Sequence, residues 1–169
     1  MILEVINKVS DMSTIELPNL SAEEVNQHFL EAEKSMRKRF PKILHKQGDY
    51  NNKVINFVLE DSYMQPHLHP GTEKIEKMYL LSGSFALILF DDNGEITDTI
   101  ILEKNGRESI DVPAFCWHTY VMLTKEVTIY ETMEGVYEPS TWKKMAPWAP
   151  LENTDDAANY LKILKDKVN

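Results

Sequence analysis

Two histidines two residues apart, in Gln65-Pro66-His67-Leu68-His69-Pro70-Gly71, constrain this chain more than any other feature. They lie between apolar runs with the look of strands. Side chains on a strand repeat with a period of two, so His67 and His69 point to one face. Their Cα atoms then stand roughly 6–7 Å apart, a span across which two imidazoles can converge on one ion. Pro70-Gly71 lets the chain reverse, and Glu76 opens a second apolar run, Met78-Tyr79-Leu80-Leu81. Neutral imidazole is the commonest metal-binding side chain, and two His plus one carboxylate form a recognised ligand set. Glu73 lies nearer the histidines but belongs to the turn itself, which favours Glu76 as the carboxylate.

A fourth donor lies far downstream, in Val112-Pro113-Ala114-Phe115-Cys116-Trp117-His118. His118 follows a Pro-led turn and opens the apolar run Thr119-Tyr120-Val121-Met122-Leu123. The metal ligands expected are therefore His67, His69, Glu76 and His118, all at strand starts near the mouth of whatever the strands enclose.

This arrangement resembles the two signature motifs of the cupin superfamily. His67, His69, Glu76 and Gly83 match the first, and Pro113 with His118 matches the second. Asp61 and Phe115 stand where those motifs carry Gly, and Met122 where Asn often follows. A closer resemblance covers residues 20–165. His67-x-His69-Pro70, Lys74-x-Glu76, Phe90-Asp91-Asp92-x-Gly94, Trp117-His118-Thr119, Glu134-Gly135-x-Tyr137 and Ala146-Pro147-Trp148-Ala149-Pro150 are similar to the WbuC-type cupin-fold metalloproteins. The resemblance implies a divalent metal cofactor, a cupin jelly-roll-like β-barrel or sandwich, and a place beside bacterial surface-polysaccharide biosynthesis. It also implies a homodimer.

The rest of the chain is consistent with that reading. With 169 residues, 43% apolar and 27% charged, it suits one soluble domain able to bury a core. A net charge of −9 disfavours nucleic acid and anionic membranes as partners, although a bound cation would still admit an anionic substrate. The single cysteine, Cys116, excludes an internal disulfide and suits a cytoplasmic location. No apolar run approaches a membrane span, and no signal-peptide pattern is present.

In order, residues 1–20 hold two apolar stretches, Ile2-Leu3-Glu4-Val5-Ile6 and Thr14-Ile15-Glu16-Leu17, read as strands or an arm. Ser21 and Glu24 have capping-box spacing, predicting a helix over 21–40 ended by Pro41. Val25, Phe29, Ala32 and Met36 form its apolar stripe. Residues 50–135 read as the β-barrel core, with a hairpin at Asp91-Asp92-Asn93-Gly94 whose acids serve turn chemistry rather than calcium. Residues 136–169 read as an irregular wrap closing in a helix capped at Thr154, with Ala157, Leu161, Leu164 and Val168 on one stripe. The fold class is thus mostly β, with one helix near each end. Cys116 reads as a small packed thiol, and His28, off its helix stripe, receives no function.

Three His and one Glu leave open positions on zinc, iron, manganese or nickel. The expected function is a metal-dependent enzyme on a small polar metabolite, with a sugar implied only by the resemblance. Glu76, Tyr63, Tyr120 and His45 are the candidate proton-transfer groups, suiting an isomerase, an epimerase or, with iron, an oxygenase. A non-catalytic metal- and ligand-binding sensor is the alternative. A metal-free epimerase is disfavoured by the intact ligand set.

Overall fold

In the computed structural model, which describes residues 15–168, Ser21 opens helix α1 (Ala22–Lys34) as its spacing from Glu24 predicts. Its Oγ accepts from the Glu24 N–H at 3.2 Å, and the Glu24 carboxylate accepts from the Ser21 N–H at 3.0 Å. Reciprocal caps of this kind satisfy two orphan donors, each typically contributing about 1 kcal/mol.

The helix stops at Lys34, six residues short of the expected end, and Met36 is 80% exposed rather than on a buried stripe. The cause lies in tertiary contacts. Arg39 is drawn inside, its guanidinium donating to Glu152 Oε1 at 2.6 Å and to the Tyr63 carbonyl at 2.9 Å. Residues from Arg39 then form strand β1 (Arg39–Ile43), which carries Pro41 within it. That strand lies at a sheet edge, where a missing backbone N–H is tolerated.

The remaining elements are β2 (Asn51–Leu59), β3 (His67–Leu68), β4 (Glu76–Ser82), β5 (Ser84–Phe90), β6 (Ile96–Glu103), β7 (Ser109–Val112), β8 (Trp117–Met122), β9 (Glu126–Glu134), β10 (Lys144–Met145) and α2 (Asp155–Val168). They build two five-stranded antiparallel sheets, ordered β1-β2-β9-β4-β7 and β10-β3-β8-β5-β6. The inner faces meet through Val58, Met78, Leu80, Leu87, Tyr120 and Ile129, among others. Each large apolar side chain so buried contributes roughly 1.5–3 kcal/mol.

Both outer faces are covered, which is why β4 and β5 read as apolar on both sides. Phe29 and Ala32 of α1 pack on Ile55, Phe57, Tyr79 and Tyr130. Ala157, Leu161 and Leu164 of α2 pack on Ile88, Trp117 and Val121. This mostly β sandwich with a helix at each end is the architecture expected. His28 stacks on Phe57 at 4.7 Å between ring centroids.

Turns match their residues where strands meet. Asp91 Oδ1 accepts from the Asn93 and Glu95 N–H groups, each at 2.9 Å, so the acid shapes the turn. Gly94 has φ 87°, and a Cβ there would lie 2.7 Å from the Trp148 ring. Gly83, between β4 and β5, has φ 80°, and its Cβ would press on the Glu126 carbonyl oxygen. Only glycine meets both conditions without strain.

Ile2-Leu3-Glu4-Val5-Ile6 lies outside the described residues. Ile15 and Leu17 form no strand but pack against the α1 cluster. After β9 the tail returns across the other sheet: β10 pairs with β3, and the Ala146 N–H donates to the Pro66 carbonyl at 2.8 Å. Among the described residues no helix is long and apolar enough to cross a membrane.

Candidate metal centre

The two sheets each deliver part of one cluster. Strand β3 runs between β10 and β8, and its register places His67 directly opposite His118. Glu76 begins β4 in the facing sheet. His69 lies just past β3, where its carbonyl accepts from the Phe115 N–H at 3.0 Å. One donor atom from each of His67, His69, Glu76 and His118 falls within 4.8 Å of all the others, and all four residues are buried.

Hydrogen bonds settle which ring nitrogens face the centre. Nδ1 of His67 meets the Gln65 carbonyl at 3.0 Å, that of His69 the Trp142 carbonyl at 2.8 Å, and that of His118 the Cys116 carbonyl at 2.9 Å. A carbonyl only accepts, so each Nδ1 carries the hydrogen. Each neutral ring therefore turns the lone pair of Nε2 inward, the arrangement of metal-ligating histidine held by an outer hydrogen bond.

That arrangement fits a cation and is hard to satisfy otherwise. His118 Nε2 lies 2.8 Å and His69 Nε2 3.5 Å from the same Glu76 oxygen, and His69 Nε2 makes no hydrogen bond. With Nδ1 already protonated, these would be lone pairs facing a carboxylate unless a positive charge stands among them. Adjacent donors around an ion with bonds of about 2.1 Å are separated by roughly 3.0 Å at right angles and 3.4 Å in a tetrahedron. These two separations are of that size, and all four donors lie within 4.8 Å of one another.

The electrostatics agree. Burial, followed by the Lys143 charge, holds the His67 imidazole well below its ordinary value and hence neutral. Burial raises the Glu76 carboxyl, and without a metal only positive charge on the His69 and His118 imidazoles outweighs it and holds the group ionised; a bound cation would supply that charge with the rings neutral.

Beside the cluster opens a cavity of about 300 Å³ that reaches His67, His69 and Glu76. Of the other candidate proton-transfer groups, only His45 lines it; the Lys53 N–H donates to its Nδ1 at 3.0 Å. Tyr120 is in the apolar core between the sheets, its hydroxyl without a hydrogen-bond partner and its phenol pushed up by burial. Tyr63, another candidate proton-transfer group, does not line the cavity. It packs in the α2 cluster, and its hydroxyl donates to the Pro150 carbonyl at 2.9 Å. Residues 61–66 are irregular, so the strand alternation that aligns His67 with His69 does not extend back to Tyr63.

Glu73, the rival carboxylate, is an exposed turn residue beside Gly71. Burial pushes the Cys116 thiol up to about 11, and its contribution to the centre is its carbonyl.

One carboxylate at the site escaped the sequence reading. Glu131, on β9, lines the cavity with one oxygen buried and unpartnered. Burial, then the neighbouring Glu76 charge, raises its carboxyl above the ordinary range. A signal existed: Val127 and Ile129 are core residues of the inner face, so alternation puts Glu131 on that face too.

Phe115 holds the position where the second motif carries Gly, and its φ is 62°, a region costly for a bulky residue. Its side chain is 55% exposed, so little packing depends on it. Phe115→Gly is expected to stabilise the chain by up to about 1 kcal/mol with metal affinity unchanged. A lower melting temperature in calorimetry would refute this.

Comparisons place the fold among known structures. A family model described as a domain of unknown function (DUF6016) matches residues 20–102. No curated protein matches the sequence. Among solved structures, the chain is similar to protein SO0799 from Shewanella oneidensis, at 14% identity and a TM-score of 0.55, over 75% of this chain and 85% of that one. It is also similar to the capsular polysaccharide assembling protein CapF from Staphylococcus aureus, at 18% identity and a TM-score of 0.53, over 62% of this chain and 31% of that one. This chain thus spans about a third of CapF. The likeness to both is one of fold.

Proposed function

Starting from the cupin fold of this chain and its buried His/His/Glu/His cluster, we propose that it is a metal-dependent enzyme that moves protons on a small polar metabolite. The observation that carries this is the convergence of three inward Nε2 lone pairs and one carboxylate at the wall of a cavity. His67, His69, Glu76 and His118 would hold the ion, with zinc, iron, manganese and nickel all compatible with the donor set. A divalent ion there supplies Lewis acidity, polarising a carbonyl or hydroxyl bound beside it.

The chain's own groups supply the rest. Glu131, facing the cavity next to Glu76, is placed to take a proton from a substrate carbon and return it. His45, also in the lining, is a second imidazole that can exchange a proton with a bound ligand. Apolar residues such as Met64 and Trp142 limit water around the reacting atoms. A carboxyl group in this position favours isomerisation or epimerisation over oxygenation. The resemblance to WbuC-type proteins and the fold likeness to a capsular polysaccharide assembling protein support a sugar derivative as substrate.

The test is incubation of the metal-loaded protein in deuterated water with a panel of sugars and sugar derivatives, read by mass spectrometry. Metal-dependent deuterium uptake at a substrate carbon is expected, falling at least a hundredfold in His69→Ala. Ligands that bind the loaded protein yet return unlabelled and unchanged would overturn the enzyme reading in favour of a metal- and ligand-binding sensor.

A further inference from the structure

The cavity carries a cation that the metal cluster does not use. Lys143 lines it, within a segment pinned on both sides. On one side, Lys74 Nζ donates to the Thr141 carbonyl at 2.9 Å and stands 4.9 Å from the centre of the Trp142 ring. The Trp142 carbonyl in turn holds the Nδ1 hydrogen of His69. On the other side, Met145 pairs with His67 across β10 and β3. Lys143 is therefore positioned by the same contacts that orient two of the ligands.

Among the described residues Lys143 forms no ion pair and no hydrogen bond, although the fields of Glu76 and Glu131 reach it. The residue as a whole is exposed, but its ammonium is enclosed by the concave wall, and that burial lowers it from the ordinary lysine value against the opposing fields of Glu76 and Glu131. Arg39, also in the lining, is by contrast committed to Glu152 and the Tyr63 carbonyl. Arg37, exposed at the rim, is a second cation. With a divalent ion in place, the lining is net positive against Glu76 and Glu131, inside a chain whose overall charge is −9.

A positive, unpartnered group facing a metal across a small cavity selects a ligand with an oxygen at one end and a negative charge at the other. We propose that Lys143 is a specificity-determining residue and that the substrate is a small hydroxylated carboxylate, of the sugar-acid class. This rests on the reading of the cluster as a metal centre. A carboxylate fits better than a phosphate. A phosphate dianion is ordinarily cradled by several backbone N–H groups at a glycine-rich turn or helix N-terminus, and none lies among the lining residues.

Calorimetry on the metal-loaded protein compares gluconate with gluconamide, glycolate with glycolamide, and gluconate with glucose 6-phosphate. Each acid is expected to bind at least tenfold more tightly than its amide, and gluconate more tightly than glucose 6-phosphate. Lys143→Met should abolish the acid preference while leaving metal content and gluconamide affinity unchanged, and Lys143→Arg should keep it. Equal affinities for acid and amide, absence of binding by either acid, a preference that survives Lys143→Met, or tighter glucose 6-phosphate would each overturn the proposal. Metal content measured on the same samples separates the two readings. A chain that takes up no metal refutes the metal centre, whereas a loaded chain indifferent to charge refutes only the role of Lys143.

Discussion

His118→Ala is expected to lower affinity for a divalent metal at least a hundredfold and to remove a metal-dependent rise of about 10 °C in melting temperature. The size follows from linkage. An ion that binds only the folded chain stabilises it by about 4 kcal/mol at a thousand times its dissociation constant. For a chain of this length each kcal/mol moves the midpoint by roughly 2–4 °C. His118 is the donor nearest Glu76, its Nε2 2.8 Å away, and it is almost fully buried. Its loss takes away one donor and leaves a cavity that water must fill. The measurement is scanning calorimetry with and without added zinc, alongside elemental analysis. An unchanged zinc-dependent shift in the variant would remove His118 from the ligand set.

The pH dependence of the same site has a definite sign. The His67 imidazole lies well below its ordinary value of 6.5 in the folded chain, mainly through burial. The unfolded chain therefore binds its proton first as pH falls below that value, and stability of the metal-free protein declines with it. Metal affinity should fall over the same interval, because protons compete for the same Nε2 lone pairs.

Glu131→Gln should act in the opposite direction and without loss of metal. The Glu131 carboxyl is raised from 4.5 to about 8, through burial and then the Glu76 charge. Below about 4.5 both folded and unfolded chains hold the proton. Between that value and about 8 the folded chain still holds it while the unfolded chain has released it, so stability drops as pH rises through the window. Glutamine cannot ionise, and the metal-free variant should exceed the wild type by ~2 kcal/mol at pH 8 while matching it at pH 4. The gain is kept to that size because solvent reaches part of the side chain. Denaturant unfolding across the pH range provides the measurement. A metal-free variant less stable than the wild type at pH 8 would refute the raised carboxyl, and a variant depleted of metal would instead make Glu131 a ligand.

The features legible from the chain are those governed by short-range rules. Ser21 and Glu24 cap a helix because three residues of helix bring their groups together. Ala157, Leu161 and Leu164 share a face because the helical period aligns them. His67, His69, Glu76 and His118 were recognisable because each stands at the start or edge of an apolar run, in motif spacing. The misreadings all involve partners distant in sequence. Arg39 is held inside by Glu152, and that contact ends the first helix early. Tyr63 is turned toward α2, with its hydroxyl on Pro150. Lys143 and Trp142 reach the site only because the tail crosses back over β3.

Periodicity, motif spacing and the family resemblance they carry were enough to expect a mostly β chain with a helix near each end and four candidate metal donors. Only the tertiary structure decided that those donors meet with all three Nε2 lone pairs inward, that Glu131 and Lys143 share their cavity, and that Tyr63 and Tyr120 do not. The physical reason is that local order depends on neighbours a few residues away, whereas the direction of a lone pair or a charge depends on backbone carbonyls and strands supplied from across the fold. The Trp142 carbonyl that orients His69 is 73 residues along the chain from the ring it holds.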